Sequence, residues 1–121
     1  VLLDIFDFFE EKINFCLKKK YKKEFIILDP GIGFGKNLDH NLRLMSKISI
    51  FHSLGCPILI GTSRKKFIEQ IVTKFDTPDR TGGTLASVLH GLSQGVQIFR
   101  IHNVKEINQG ILVFNKILHT N

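Results

Sequence analysis

Cysteine is scarce in this chain: Cys16 and Cys56 are the only two among 121 residues. Two thiols cannot staple a scaffold, and these two lack the spacing of metal ligands, so both are expected as reduced side chains and no metal site is expected from them. Proline is held to three positions, and each marks a boundary. Pro30 opens a turn, Pro57 starts an apolar run, and Pro78 lies in the polar loop Asp76–Arg80. No apolar run approaches the ~18 residues of a membrane span, so no membrane association is expected. The N-terminal stretch carries Asp4, Asp7, Glu10 and Glu11 where a secretory leader would be basic, so no signal peptide is expected either. Acidic residues are the minority, 11 Asp and Glu against 17 Lys and Arg, a formal net charge of +6. Part of that excess is the run Lys18–Lys23, which complements the dipole at a helix end and lies in solvent. Tyr21 is the one aromatic within it and no groove-entering helix accompanies it, so nucleic acid is not an expected partner. The chain has 43% hydrophobic and 23% charged residues, an ordinary globular balance that argues against disorder. With no linker, repeat or low-complexity segment, residues 1–121 read as one soluble, cytoplasmic unit.

What is present is a strand ending in a carboxylate and opening into glycines. The apolar run Phe25–Leu28, rich in β-branched and aromatic residues, precedes Asp29-Pro-Gly-Ile-Gly-Phe-Gly-Lys36 and fits a strand covered on both faces. Gly31, Gly33 and Gly35 open backbone angles closed to other residues and let a flat ligand approach the main chain. Two further runs repeat the pattern: Pro57–Ile60 ends in Gly61-Thr-Ser-Arg-Lys-Lys66, and Val96–Phe99 ends in Arg100-Ile-His102.

Amphipathic stretches separate and flank these runs. Residues 1–23 read as one helix with Leu2, Ile5, Phe6, Phe9, Ile13, Cys16 and Leu17 along its apolar stripe. A second is predicted from about His40 to Leu54, with Leu42, Met45, Ile48, Phe51 and His52 inward, and a third from Arg64 to Lys74, with Phe67, Ile68, Ile71 and Val72 inward. Thr81-Gly-Gly-Thr84 begins a fourth, packing Leu85, Val88, Leu89 and Leu92. The last starts at Asn103, a good N-cap with Glu106 three residues on, and buries Ile107, Ile111, Phe114 and Leu118. Strand, polar end and helix repeated three times predict βαβ architecture with about three parallel strands. Ligands collect at the carboxyl ends of such strands. Asp29, Ser63, Arg64, Lys65, Arg100 and His102 are therefore expected to converge on one rim. Some of the candidates have a plainer reading: Asp29 as a turn cap, Ser63 as a helix N-cap, the turn's Phe34 as core, and one of Lys65 and Lys66 as a solvated side chain.

Four of these segments, "LDPGIGFGKN", "GTSRK", "DRTGGTLAS" and "RIHNVKE", resemble in order and spacing the C-terminal half of dihydropteroate synthase. That family implies an α/β fold in which this chain is the C-terminal part of a (β/α)8 TIM barrel. It implies condensation of 6-hydroxymethyl-7,8-dihydropterin pyrophosphate with para-aminobenzoate, a reaction of folate synthesis that sulfonamides block. By resemblance, Asp29 holds the pterin nitrogens and Lys65 the pterin carbonyl region near the aminobenzoate. Arg100 and His102 take the departing pyrophosphate. Phe34, Ser63 and Arg64 shape the aminobenzoate pocket, while Gly33 and Lys36 belong to the substrate turn. The catalytic set so implied is Asp29, Lys65, Arg100 and His102. Asn103 stands where the family commonly has Asp.

A (β/α)8 barrel takes about 250 residues, so a chain of 121 is expected to supply strands six to eight of an incomplete barrel. The resemblance puts the magnesium ligand in the first five strands, outside this chain, and implies a homodimer for the complete enzyme, with contacts near the last helices. The chain alone is expected to be inactive. Two other readings are a pterin-binding domain of a corrinoid methyltransferase and a non-catalytic binding module.

Overall fold

A computed structural model describes residues 1–62, 66–72 and 79–121. The five α-helices described are α1 (Leu2–Lys18), α2 (Leu38–Ser46), α3 (Lys66–Ile71), α4 (Thr81–Ser93) and α5 (Val104–Leu118). Two short strands, β1 (Leu59–Ile60) and β2 (Ile98–Phe99), pair in parallel with Leu59 opposite Ile98 and Ile60 opposite Phe99. None of the described helices is long and apolar enough to cross a membrane.

The expected first strand is present only as a single parallel bridge between Leu28 and Ile58. Its hydrogen bonds are Leu28 N–H to the Pro57 carbonyl (2.9 Å) and Leu59 N–H to the Leu28 carbonyl (2.8 Å). Phe25 instead closes a 3-10 turn, Lys23–Phe25. The run is also not covered on both faces: Leu28 is buried, but Phe25 and Ile27 are 76% and 52% exposed. Among the described residues no strand lies on the far side of this segment to extend the pairing or cover that face. Leu28, Ile58 and Ile60 point to the helices and are buried. By strand alternation Ile27, Asp29, Leu59, Gly61 and Arg100 belong to the opposite, open face.

Helix α1 ends at Lys18, short of the expected residue 23, because the chain reverses there. The Tyr21 N–H reaches the Cys16 carbonyl and the Lys20 N–H the Leu17 carbonyl, both at 3.0 Å, with Lys20 at φ 67°. These are the paired bonds of a Schellman cap, with lysine at the position usually given to glycine. The expected stripe is otherwise present. Phe9 and Ile13 are buried, Leu17 is exposed, and Phe9 meets Phe51 edge to face at 5.3 Å. Burying a Phe side chain of this kind stabilises the fold by about 1.5–3 kcal/mol.

The helix expected over residues 40–54 is broken at Lys47 into α2 and a 3-10 helix, Ile48–Leu54. Three residues per turn set Ile48, Phe51 and Leu54 on one face, and all three are buried. In α2 the buried residues are Asn41, Leu44 and Met45, while Leu42, expected inward, is exposed. The Asn37 carboxamide caps α2 by accepting the His40 N–H at 2.8 Å. In α3, Phe67 and Ile68 are buried as expected but Ile71 is exposed; the rest of the predicted 64–74 stretch lies partly outside the described residues. Val88 of α4 and Ile107 of α5 are fully buried, whereas Leu118, expected inward, is 60% exposed. Asn103 stands at the N-cap of α5 without the expected side-chain cap bond. Its ψ of 68° departs from the extended backbone that turns a capping oxygen toward the helix amides.

Candidate active site

The turn after Leu28 is built by its own side chains. One carboxylate oxygen of Asp29 accepts the Gly31 N–H at 2.9 Å, so the turn-capping role is real and leaves the second oxygen for another donor. Gly31, Gly33 and Gly35 all have positive φ (69°, 88° and 61°), the region where a side chain is strained. The buried Ile32 anchors the turn from below, and Phe34 stands 64% exposed at its tip. The Lys36 ammonium donates to the Gly31 and Phe34 carbonyls at 2.9 and 3.0 Å. It is therefore tied first to its own loop. The Gly33 N–H is likewise committed, donating to the Asn41 carboxamide oxygen at 2.9 Å. Gly33 offers a ligand its open backbone and not its amide hydrogen.

Register places the other polar ends on the same rim. The Arg100 N–H donates to the Ile60 carbonyl at 3.0 Å, which sets Arg100 beside Gly61 on the neighbouring strand. The guanidinium folds over that glycine: a Cβ at Gly61 would sit 2.8 Å from Arg100 Nη2. Gly61 is thus the floor on which Arg100 lies. No carboxylate among the described residues reaches Arg100 at ion-pair distance. Asp29, level with Leu59 through the Leu28–Ile58 bridge and so with Ile98, is two strand spacings across and two residues along from Arg100, roughly 12 Å. His102 follows Arg100 by two residues, at a bend beyond the end of β2, and is exposed. Ser63, Arg64 and Lys65 lie outside the described residues. The structure therefore sets the Asp29 turn and Arg100 at the ends of parallel-paired segments, with His102 just beyond Arg100 in the chain.

Sequence reasoning missed Asn41 and the seat that Gly61 gives Arg100. Asn41 falls at helical spacing with Leu38, Leu44, Met45 and Ile48, a polar residue on an apolar stripe, and that was its available signal. The Gly61 contact joins residues 39 apart in the chain and has no local signal. Three of the four remaining histidines bond to backbone carbonyls. His52 and His90 donate through Nε2 to the Gln94 and Met45 carbonyls at 2.7 and 2.8 Å, and His119 donates through Nδ1 to the Asn115 carbonyl. Burial pushes the Cys56 thiol up, partly offset by Lys23, which makes it a poor nucleophile. Among the described residues no three His, Cys, Asp or Glu side chains cluster as metal ligands.

A family model described as pterin binding enzyme matches residues 1–102. The chain belongs to the pterin-binding enzyme family. Dihydropteroate synthase of Escherichia coli K12 is 37% identical over 118 residues, covering 98% of this chain and 42% of that protein. The Bacillus subtilis enzyme of the same name is 40% identical over 109 residues, 88% of this chain and 37% of its own length. Among solved structures, Yersinia pestis dihydropteroate synthase superposes with a TM-score of 0.91 at 35% identity, over 98% of this chain and 56% of that one. The Thermus thermophilus enzyme in complex with 6HMPPP gives 0.88 at 30% identity, over 97% of this chain and 46% of that one. This member of the pterin-binding family thus spans about two fifths of the curated relatives it matches, and its partial α/β fold is that of the corresponding part of the solved enzymes.

Proposed function

We propose that the protein to which these residues belong is a dihydropteroate synthase, joining 6-hydroxymethyl-7,8-dihydropterin pyrophosphate to para-aminobenzoate with release of pyrophosphate. The observation that carries this reading is the shared open face. A carboxylate with one oxygen held in a glycine turn and a guanidinium that meets no carboxylate among the described residues stand two strands apart. A pterin with a diphosphate tail offers ring N–H donors at one end and anionic oxygens at the other. The relatives named above and the 6HMPPP complex of the Thermus enzyme support the choice of substrate.

In this reading the protein positions its substrates and stabilises charge. Asp29 accepts from the pterin ring N–H groups and favours positive charge spreading into the ring. Arg100 donates to the diphosphate through its planar fork, and His102 adds a donor. The carbon–oxygen bond at the pterin methylene then breaks with its electron pair leaving on pyrophosphate. The aromatic amine forms the new carbon–nitrogen bond and loses a proton. Phe34, at the tip of the turn, gives the aminobenzoate ring an apolar wall, with Ser63, Arg64 and Lys65 completing the site. Magnesium belongs to the remainder of the barrel, and no step here passes through it. The same reading takes the complete enzyme as a (β/α)8 barrel and a cytoplasmic homodimer, with the exposed Leu112, Val113, Ile117 and Leu118 of α5 facing a second copy.

The intact protein, given the two substrates and magnesium, is expected to release pyrophosphate and dihydropteroate in equal amounts, and the 121-residue chain alone to give no turnover. Intact protein that binds neither substrate would sink the assignment.

A further inference from the structure

The described residues include three buried polar side chains, Asn41, Thr62 and Thr84. Ser87 donates to the Thr84 carbonyl and is hydrogen-bonded to the Thr62 hydroxyl, and this network stays between α4 and the residues just after β1. Asn41 reaches elsewhere. It is 3% exposed among apolar neighbours of α2, yet its carboxamide oxygen takes the N–H of Gly33, a residue that is itself exposed. Solvent could satisfy an exposed amide. What the buried acceptor adds is direction, because it turns the Gly33 peptide inward and so fixes the residue before Phe34.

We propose that Asn41 is a positioning residue for the substrate turn, holding the Gly33 peptide so that Phe34 is presented to the aromatic amine; this rests on the synthase reading given above. Three side chains then fix a five-residue turn. Asp29 holds the Gly31 amide, Asn41 the Gly33 amide, and Lys36 the carbonyls of Gly31 and Phe34. The first and last are themselves on the rim and move with it. Asn41 belongs to the helix layer, which makes it the polar tie that, beside the buried Ile32, refers the turn to the rest of the fold. A leucine would suit that apolar site better on burial alone, so the carboxamide is accounted for by the bond to Gly33.

The test is steady-state kinetics of the intact protein with Asn41→Ala, Asn41→Leu and Asn41→Asp. Ala and Leu remove the acceptor, and Asp keeps it. Removing the acceptor is expected to raise KM for para-aminobenzoate about tenfold while kcat and KM for the pterin pyrophosphate stay within about threefold. Asn41→Asp is expected to restore KM for the amine to within about threefold of the unsubstituted protein. An unchanged KM in the Ala or Leu variant, or a loss in Asp equal to that in Ala, would overturn the proposal. Hydrogen exchange at the Gly33 amide of the unsubstituted protein needs no variant to fold. Protection of at least about tenfold is expected, and exchange at the free-peptide rate would overturn the tie. No dihydropteroate formation by unsubstituted protein would instead overturn the synthase reading, leaving the exchange measurement to decide on Asn41.

Discussion

Asp29→Asn in the intact protein is expected to lower kcat/KM for dihydropteroate formation by about 100- to 1,000-fold while leaving the fold in place. The substitution is close to isosteric, and the asparagine oxygen can still accept the Gly31 N–H that Asp29 holds at 2.9 Å. The turn therefore keeps its cap. What changes is the other end of the side chain, where an acceptor becomes an NH2 donor facing the ring donors of the pterin. A site built to accept hydrogen bonds then meets two donors and leaves groups unpaired, the situation that carries large discrimination. Loss of the negative charge also removes its support for positive charge in the ring as the methylene carbon releases pyrophosphate. Steady-state kinetics with a thermal melt on the same sample check both halves. A melt near that of the parent with unchanged kcat/KM would mean that Asp29 serves only the turn.

Gly61→Ala is expected to cost activity through a residue that it does not replace. The new Cβ would fall 2.8 Å from Arg100 Nη2 and 3.2 Å from Nε, so the guanidinium must move. It sits at the end of a flexible side chain on an exposed face, and the backbone at Gly61 is outside the left-handed region. The fold should thus absorb the change within about 1 kcal/mol. Displacing the fork by an ångström or more breaks the parallel donation to a phosphate, and kcat/KM should fall about 10- to 100-fold. A double-mutant cycle isolates the cause. In an Arg100→Ala background, Gly61→Ala is expected to add less than about threefold, since the two act through one group. Equal losses in both backgrounds would show that Gly61 matters for some other reason.

The parts of the site that could be read along the chain are those fixed by local chemistry. Gly31, Gly33 and Gly35 signalled positive φ because other residues are strained there, and all three have it. Asp29 before proline and glycine signalled a turn cap at the end of an apolar run, and it is one. The stripe of α1 placed Phe9 and Ile13 in the core by spacing alone. What escaped was set by partners distant in sequence. Phe25 and Ile27 are apolar enough for a covered strand, but covering depends on neighbours that the described chain does not supply. The phase of α2 was set on Leu42, yet the helix turns Asn41 and Leu44 inward, because the Gly33 amide gives a carboxamide a reason to be buried. The 3-10 stretch after Lys47 keeps Ile48, Phe51 and Leu54 together at a spacing that an α-helical template reads only in part. Arg100 was legible as a cation at the end of a strand, whereas its seat over Gly61 is a tertiary fact.

The central claim is a division of labour on one rim, with Asp29 gripping the heterocycle and Arg100 the diphosphate. Calorimetric titration of the intact protein and its Asp29→Asn and Arg100→Ala variants, with dihydropterin pyrophosphate and with the bare 6-hydroxymethyl-dihydropterin, tests it most directly. Asp29→Asn is expected to weaken both ligands by about tenfold or more, and Arg100→Ala to weaken only the pyrophosphate ester, by about 10- to 100-fold. Equal weakening of both ligands by Arg100→Ala, or undiminished binding of the bare pterin by Asp29→Asn, would contradict the account.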